Sequence, residues 1–173
     1  MTTEYLLNEQ MEHILAALMP SNRLVMRVCL HTGLRIGDVL ALRTEQLVTP
    51  QFWITEQKTG KRRRVNLTDE LFRQLWEEAG PEWVFTSRCD RTKHRTRQAV
   101  WADVKRAAKA FRFEQNVGPH SARKIYAVDL MQKYGDIDRV RRALNHSSES
   151  VTMLYALADM RLQSKYRKKR RRS

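Results

Sequence analysis

One stretch sets the fold class. Phe52-Trp53-Ile54-Thr55 and Arg63-Arg64-Val65-Asn66-Leu67 have the length and residue types of short strands, and Glu56-Gln57-Lys58-Thr59-Gly60-Lys61-Arg62 between them supplies a glycine turn. Together they predict one β-hairpin with a basic tip. On either side of it the apolar residues recur at helical spacing. The expected architecture is therefore α+β, mainly helical, with one small antiparallel sheet.

The helices can be placed in turn. Asn8 caps a first one carrying Met11, Ile14, Leu15 and Leu18, and Pro20 marks its stop. A second, from about Asn22, carries Leu24, Val25, Val28 and Cys29 and ends at Gly33, a natural left-handed terminator. In the run from Thr32 to Leu42, Ile36, Val39 and Leu40 anchor a short helix that holds Arg35 at a supported bend. After the hairpin, Thr68 caps a helix with Leu71, Leu75 and Trp76 as its buried stripe, closed by Gly80-Pro81. Trp83-Val84-Phe85 reads as a short apolar piece, a candidate small strand. Thr96 or Arg97 opens a helix with Val100, Trp101, Val104 and Ala108, and Gly118-Pro119 resets the direction. A helix starting close to His120 packs through Ile125, Val128, Leu130 and Met131 up to Gly135. Asp136 caps the next, with Ile137, Val140 and Leu144 inward. Beyond it, Ser147 or Ser148 caps a last helix on which Val151 and Leu154 set Tyr155 beside the core.

The length, 173 residues, suits one domain with a full core, expected over residues 1–160. Lys and Arg number 33 against 19 acids, a formal charge of +14, and eight of the basic residues lie in a tail from Arg161 to Ser173 that contains no acid. Solubility is the plainer account of this charge. The sharper one is a nucleic-acid partner, because a basic surface concentrates polyanions and gains affinity by releasing their counterions. The tail reads equally as a phosphate-binding arm or a solvated end. Cys29 on a helix and Cys89 in a loop do not make a disulfide framework, which fits a reducing cytoplasm. No apolar run has the length of a membrane span, and the first twenty residues, with Glu4, Glu9 and Glu12, do not resemble a secretory signal.

Candidate chemistry begins with His120-Ser121-Ala122-Arg123, which puts an imidazole and a guanidinium one helical turn apart. By itself this pair is a weak signal in an arginine-rich chain. The order Arg35, a basic hairpin with Lys58, His120-x-x-Arg123, then His146 and, nine residues later, Tyr155 is far more specific. With its Thr-Gly-Leu-Arg-Ile-Gly-Asp turn, Lys-Thr-Gly-Lys hairpin and Leu-x-His-Ser-Ser…Thr-x-x-Tyr ending, the chain resembles the catalytic domain of the tyrosine recombinase (phage integrase) family. The resemblance covers roughly residues 8–158.

It implies the catalytic-domain fold of that family and a site-specific recombinase or integrase that cuts and rejoins DNA through a 3′-phosphotyrosyl intermediate. Tyr155 would be the nucleophile. Arg35 and Arg123 suit a clamp on a phosphodiester gathering negative charge, and His120 is the candidate acceptor for the phenol proton. The resemblance gives the leaving 5′-oxygen its acid at Lys58, with Lys61 as fallback. His146 would donate a hydrogen bond to the phosphate, and Asp38 either helps hold the site or only favours the start of its helix. No cofactor or metal is implied. The basic loop of residues 86–97 is either solvated or in contact with phosphates, and Lys61, Arg62, Arg63, Lys93, Arg95 and Lys124 are candidate DNA contacts.

Two positions depart from the family pattern: Lys124 stands where a second histidine is usual, and Asn145 where a glycine precedes the later histidine. Asn tolerates left-handed backbone, so the turn can survive. The helical clamp domain that family members carry ahead of the catalytic one is expected to be absent. That would make the chain an isolated fragment or a naturally short recombinase similar to the small fimbrial-switch invertases. Expected partners are double-stranded DNA, further copies of the chain as a tetramer on DNA, and accessory DNA-bending proteins, in the bacterial cytoplasm at the nucleoid. Residues 159–173 would dock on a neighbouring protomer or grip DNA. The alternatives are a type IB topoisomerase-like nicking and rejoining enzyme and a DNA-binding relative that does not cut.

Overall fold

A computed structural model describes residue 6 and residues 8–145. Its centre is α2 (Pro20–Thr32), whose Leu24, Val25, Met26, Val28 and Cys29 are all buried, so that several of its faces are covered at once. α1 (Asn8–Ala17) lies against it through Met11, Ile14 and Leu15. Pro20 does more than stop α1. It is the first residue of α2, where its missing N–H is not needed and its fixed φ suits a helix.

The start of α2 has no cap of its own. Asp103 of α5 (Arg97–Ala110) caps it from a distance, accepting hydrogen bonds from the Met19 N–H at 2.9 Å and from Asn22 Nδ2 at 2.8 Å. A carboxylate at the positive end of a helix is favourable, and burial, the largest influence on this acid, is outweighed by the hydrogen bonds from Asn22, Met19 and Arg106, so its pKa lies below the usual carboxylate value.

At its other end α2 stops at Gly33, with φ 64° and its N–H bonded to Cys29 O at 2.8 Å. A Cβ there would lie 2.2 Å from the Tyr126 ring, so both backbone and packing require glycine. The short α3 (Ile36–Leu40) follows, and then the hairpin β1 (Gln51–Thr55) and β2 (Arg62–Asn66), antiparallel with Gln51 opposite Asn66 and Thr55 opposite Arg62. Strand alternation turns Phe52, Ile54 and Val65 to the core and Trp53, Arg62 and Arg64 outward.

α4 (Asp69–Glu78) is capped by Thr68, whose Oγ1 accepts from Leu71 N at 3.2 Å, and Thr96 caps α5 in the same way through Ala99 N. Two expected core residues lie outside it: Trp76 and Trp101 are 50% and 51% exposed, while their neighbours Leu75 and Val100 are fully buried. Val84 and Phe85 are buried, but the segment forms only an isolated bridge, Trp83 to Arg43, instead of a strand. α6 (Pro119–Tyr134) packs along α2, and α7 (Ile137–Ala143), capped by Asp136 Oδ1 through the N–H groups of Asp138 and Arg139, packs on α6 through Val140 and Leu144.

Candidate active site

Arg35 owes its place to the end of α2. Two residues past the left-handed Gly33 it occupies the N-cap position of α3 in extended backbone, its carbonyl accepting from the N–H groups of Asp38 at 2.9 Å and Val39 at 3.1 Å. Its guanidinium keeps only 20% exposure and donates through Nη1 to Glu56 Oε2 at 2.6 Å. Glu56 is completely buried. It also accepts from Thr59 Oγ1 at 3.0 Å and faces Arg63 Nη1 at 3.6 Å. Burial pushes this carboxyl's pKa up, but the hydrogen bonds of Arg35 and Thr59, the Arg35 charge and the nearby Asn145 amide together bring it below the usual value. Asn145 Nδ2 achieves this by proximity, since it makes no hydrogen bond of normal geometry.

Lys58 is exposed at the tip of the turn that Glu56 begins. That turn is closed by Glu56 N donating to Lys61 O at 3.0 Å and by Gly60 N donating to Glu56 O at 2.8 Å. On its other flank the N–H of Gln57 donates to Asp38 Oδ1 at 2.9 Å. Asp38 thus joins the α3 segment to the hairpin, which is more than a helix-start role. Its pKa is raised, first by burial and then by Glu56, against the opposing pull of the Gln57 hydrogen bond and of Arg35 and Arg123.

Arg123, one turn into α6, is only 1% exposed. It donates through Nη1 to Gly33 O at 2.5 Å and through Nη2 to Leu144 O, tying the end of α2 to the end of α7. A cation at two helix C-termini is well placed electrostatically. His120, one turn earlier, has an outer edge open to water. Its pKa is lowered to about 4, by burial of the rest of the ring and then by the charges of Arg123, Lys124, Arg35 and Lys58. Those side chains come from α6, the α2–α3 bend and the hairpin turn, and all bear on one imidazole.

A model of the phage integrase family matches residues 4–161, nearly the whole chain. The chain belongs to the phage integrase family. A probable integrase/recombinase of Bacillus subtilis, YoeC, is 32% identical over 131 residues, covering 73% of this chain and 71% of YoeC. Among solved structures, XerH site-specific recombinase bound to palindromic difH substrate superposes with TM-score 0.72 at 25% identity, over 95% of this chain and 52% of that one. A lambda integrase dimer bound to a COC′ core site gives TM-score 0.75 at 20% identity, over 90% and 49%. The fold is that of the tyrosine recombinase catalytic domain. The chain spans about half the length of those solved proteins.

Within this family fold the remaining expected residues separate sharply. His146, Tyr155 and the tail from Arg161 lie outside the described residues, which end at Asn145. Asn145 itself has φ 50°, the left-handed backbone expected where the family has glycine. Lys61, Arg62 and Lys93 are exposed, Lys93 in an ion pair with Asp90 at 2.8 Å, and Lys124 is half-buried within reach of His120.

Two of the expected DNA contacts have their side chains engaged inside the protein in this structure. Strand alternation turns Arg63 inward, where it donates to Thr32 O and faces Glu56. Arg95 is 9% exposed and donates to Asn22 Oδ1 at 2.9 Å, inside the polar network that caps α2.

No motif in the sequence singles out Glu56, although alternation after Phe52 and Ile54 puts it on the inward face, where an acid demands a cation. Arg97 also stands closer to the site than its place in a basic loop suggests, with its side chain and that of Gln57 packed over Gly37. Among the described residues no cluster of His, Cys, Asp and Glu could hold a metal ion, and no helix is long and apolar enough to cross a membrane.

Proposed function

We propose that this chain is the catalytic domain of a site-specific DNA recombinase that acts through a covalent phosphotyrosine. The observation that carries the reading is the convergence of three elements: Arg35 bonds to the Glu56 that opens the Lys58 turn, Arg123 bonds to the Gly33 carbonyl two residues before Arg35, and the charges of all three act on His120. A phosphodiester satisfies such a site. Arg35, with the buried Arg123 behind it, sets positive charge against its non-bridging oxygens as charge builds up on them. The Tyr155 oxygen attacks phosphorus, its proton passes to His120, and the bond from phosphorus to the 5′-oxygen breaks as Lys58 protonates that oxygen. His146 donates to the same phosphate. Attack by the 5′-hydroxyl of a partner strand reverses these steps and frees the tyrosine.

An imidazole with a pKa near 4 is neutral at pH 7 and so can accept a proton. The arriving phosphate cancels part of the surrounding positive charge and makes it a better base. Lys61 and Arg62 beside the turn, with Lys93 and Lys124, supply further DNA contacts. The same reading puts the protein on DNA at the nucleoid of a bacterial cell, as a tetramer when two sites are paired, with accessory DNA-bending proteins as further partners.

The test is a nicked suicide duplex, which traps the intermediate because the cleaved 5′ fragment diffuses away. A covalent adduct is expected, lost in Tyr155→Phe, together with joining of two separate sites. An adduct without two-site joining would instead mean a nicking and rejoining enzyme, and no adduct would mean a DNA-binding protein.

A further inference from the structure

Glu56 has no part in the chemistry just described, yet it is the most heavily engaged acid of the site. We propose that Glu56 is a positioning residue, fixing the turn that carries the leaving-group lysine, Lys58, against Arg35. This assignment rests on the recombinase reading and names a residue that reading does not use.

Three kinds of contact carry it. The first is within the turn: the backbone N–H and C=O of Glu56 close it on Lys61 and Gly60, and its carboxylate takes the Thr59 hydroxyl at 3.0 Å. Lys58 therefore sits in a loop whose first residue bonds to Thr59, Gly60 and Lys61, the three residues after the lysine. The second contact leaves the hairpin. The Oε2 that holds Thr59 also accepts from Arg35 at 2.6 Å, so one oxygen atom links the lysine turn to the arginine bend. The third is the burial of the whole group, with Arg63 at 3.6 Å on the other oxygen. A buried carboxylate that accepts a charge-assisted hydrogen bond from Arg35 and faces the charge of Arg63 is held firmly, because low dielectric strengthens both interactions.

Asp38 repeats the arrangement from the other side, its Oδ1 accepting from Gln57 N three residues along from Arg35. The turn is thus fastened to the α2–α3 bend on both flanks. A flexible lysine stem gains precision only from the backbone that carries it, so the reach of the Lys58 amine toward a phosphate on Arg35 depends on this fastening. Without it, Arg35 keeps its helix N-cap position, but the acid is free to wander from the leaving oxygen.

The experiment compares two suicide duplexes, one with the natural 5′-oxygen at the cut and one with sulfur bridging there. A thiolate leaves without a proton, so the second duplex does not need the lysine. With the whole chain, Thr59→Val and Glu56→Gln are expected to slow covalent adduct formation on the oxygen duplex about 10–100-fold, the range for a misplaced general acid. On the sulfur duplex both are expected to return to near the parent's rate, as Lys58→Ala would. Arg35→Gln is expected to stay slow on both. Thr59→Val removes one half-buried hydroxyl and keeps the test decisive if Glu56→Gln unfolds. Variants that cut the oxygen duplex at the parent's rate, or that are slowed equally on both duplexes, would overturn the assignment while leaving the recombinase reading intact. A parent chain that forms no adduct on either duplex would overturn both.

Discussion

Histidine 120 shows how far a single side chain's behaviour is set by its neighbours. An ordinary imidazole titrates near 6.5, and this one is held at about 4 by burial and by the Arg123, Lys124, Arg35 and Lys58 charges. NMR titration of the DNA-free protein should find its midpoint near 4, and Lys58→Ala should move it upward, since one repelling charge is gone. A midpoint at the ordinary value in the parent would mean that the cations do not converge.

The same shift has a consequence for stability. The unfolded chain protonates this ring below about pH 6.5 while the folded chain does not, so stability falls as pH drops from there toward 4. His120→Ala should flatten that slope in urea melts at pH 7 and pH 4.5. Cysteine 29 is a second case. It is buried within α2 and its thiol is pushed up to about 12, chiefly by burial, whereas Cys89 is exposed. A thiol reagent at pH 8 should therefore modify one cysteine in the native protein and both in denaturant, and fast reaction of two native thiols would contradict the packing of α2.

At the scale of elements, the ends of helices were the most legible feature of the sequence. Thr68, Thr96 and Asp136 cap where short polar side chains precede apolar periodicity, and Gly33 and Gly135 terminate in left-handed backbone at φ 64° and 63°. Periodicity served less well at the edges of apolar stripes. Trp76 and Trp101 each sit one position past a buried residue, and spacing alone does not say how wide the covered face is.

The two terminal glycines provide a paired test. Alanine at Gly135 meets open space and should cost only the left-handed penalty, about 1–2 kcal/mol. Alanine at Gly33 carries the same penalty plus a methyl driven into the Tyr126 ring, so a loss larger by a further ~1–3 kcal/mol is expected in urea unfolding. Equal losses at the two sites would mean that Tyr126 moves aside without cost.

For the molecule as a whole, the site is assembled from positions far apart in the chain, and that assembly separates what a linear reading can find from what it misses. Arg35, Lys58, His120 and Arg123 stand out as candidates in the sequence because their order resembles a family pattern, whereas Glu56 acquires its meaning only when the hairpin folds onto the α2–α3 bend. The formal charge of +14 likewise says that the chain is basic but not which cations face outward. Arg62 and Arg63 are adjacent in sequence, yet one lies outside the hairpin and the other under it. Arg95, in the most basic loop, belongs to the polar network around Asn22.

This division predicts how arginine substitutions should partition between binding and stability. Removing an exposed cation that contacts phosphate should flatten the dependence of log affinity on log salt by about 0.9 per contact and leave the fold unchanged. Lys61→Ala and Arg62→Ala are expected to behave this way on duplex DNA. Arg95→Ala should leave the salt slope unaltered but strand the buried Asn22 oxygen, lowering stability by about 1–3 kcal/mol. A reduced salt slope in Arg95→Ala, with unchanged unfolding, would put that guanidinium on DNA and remove it from the network that caps α2.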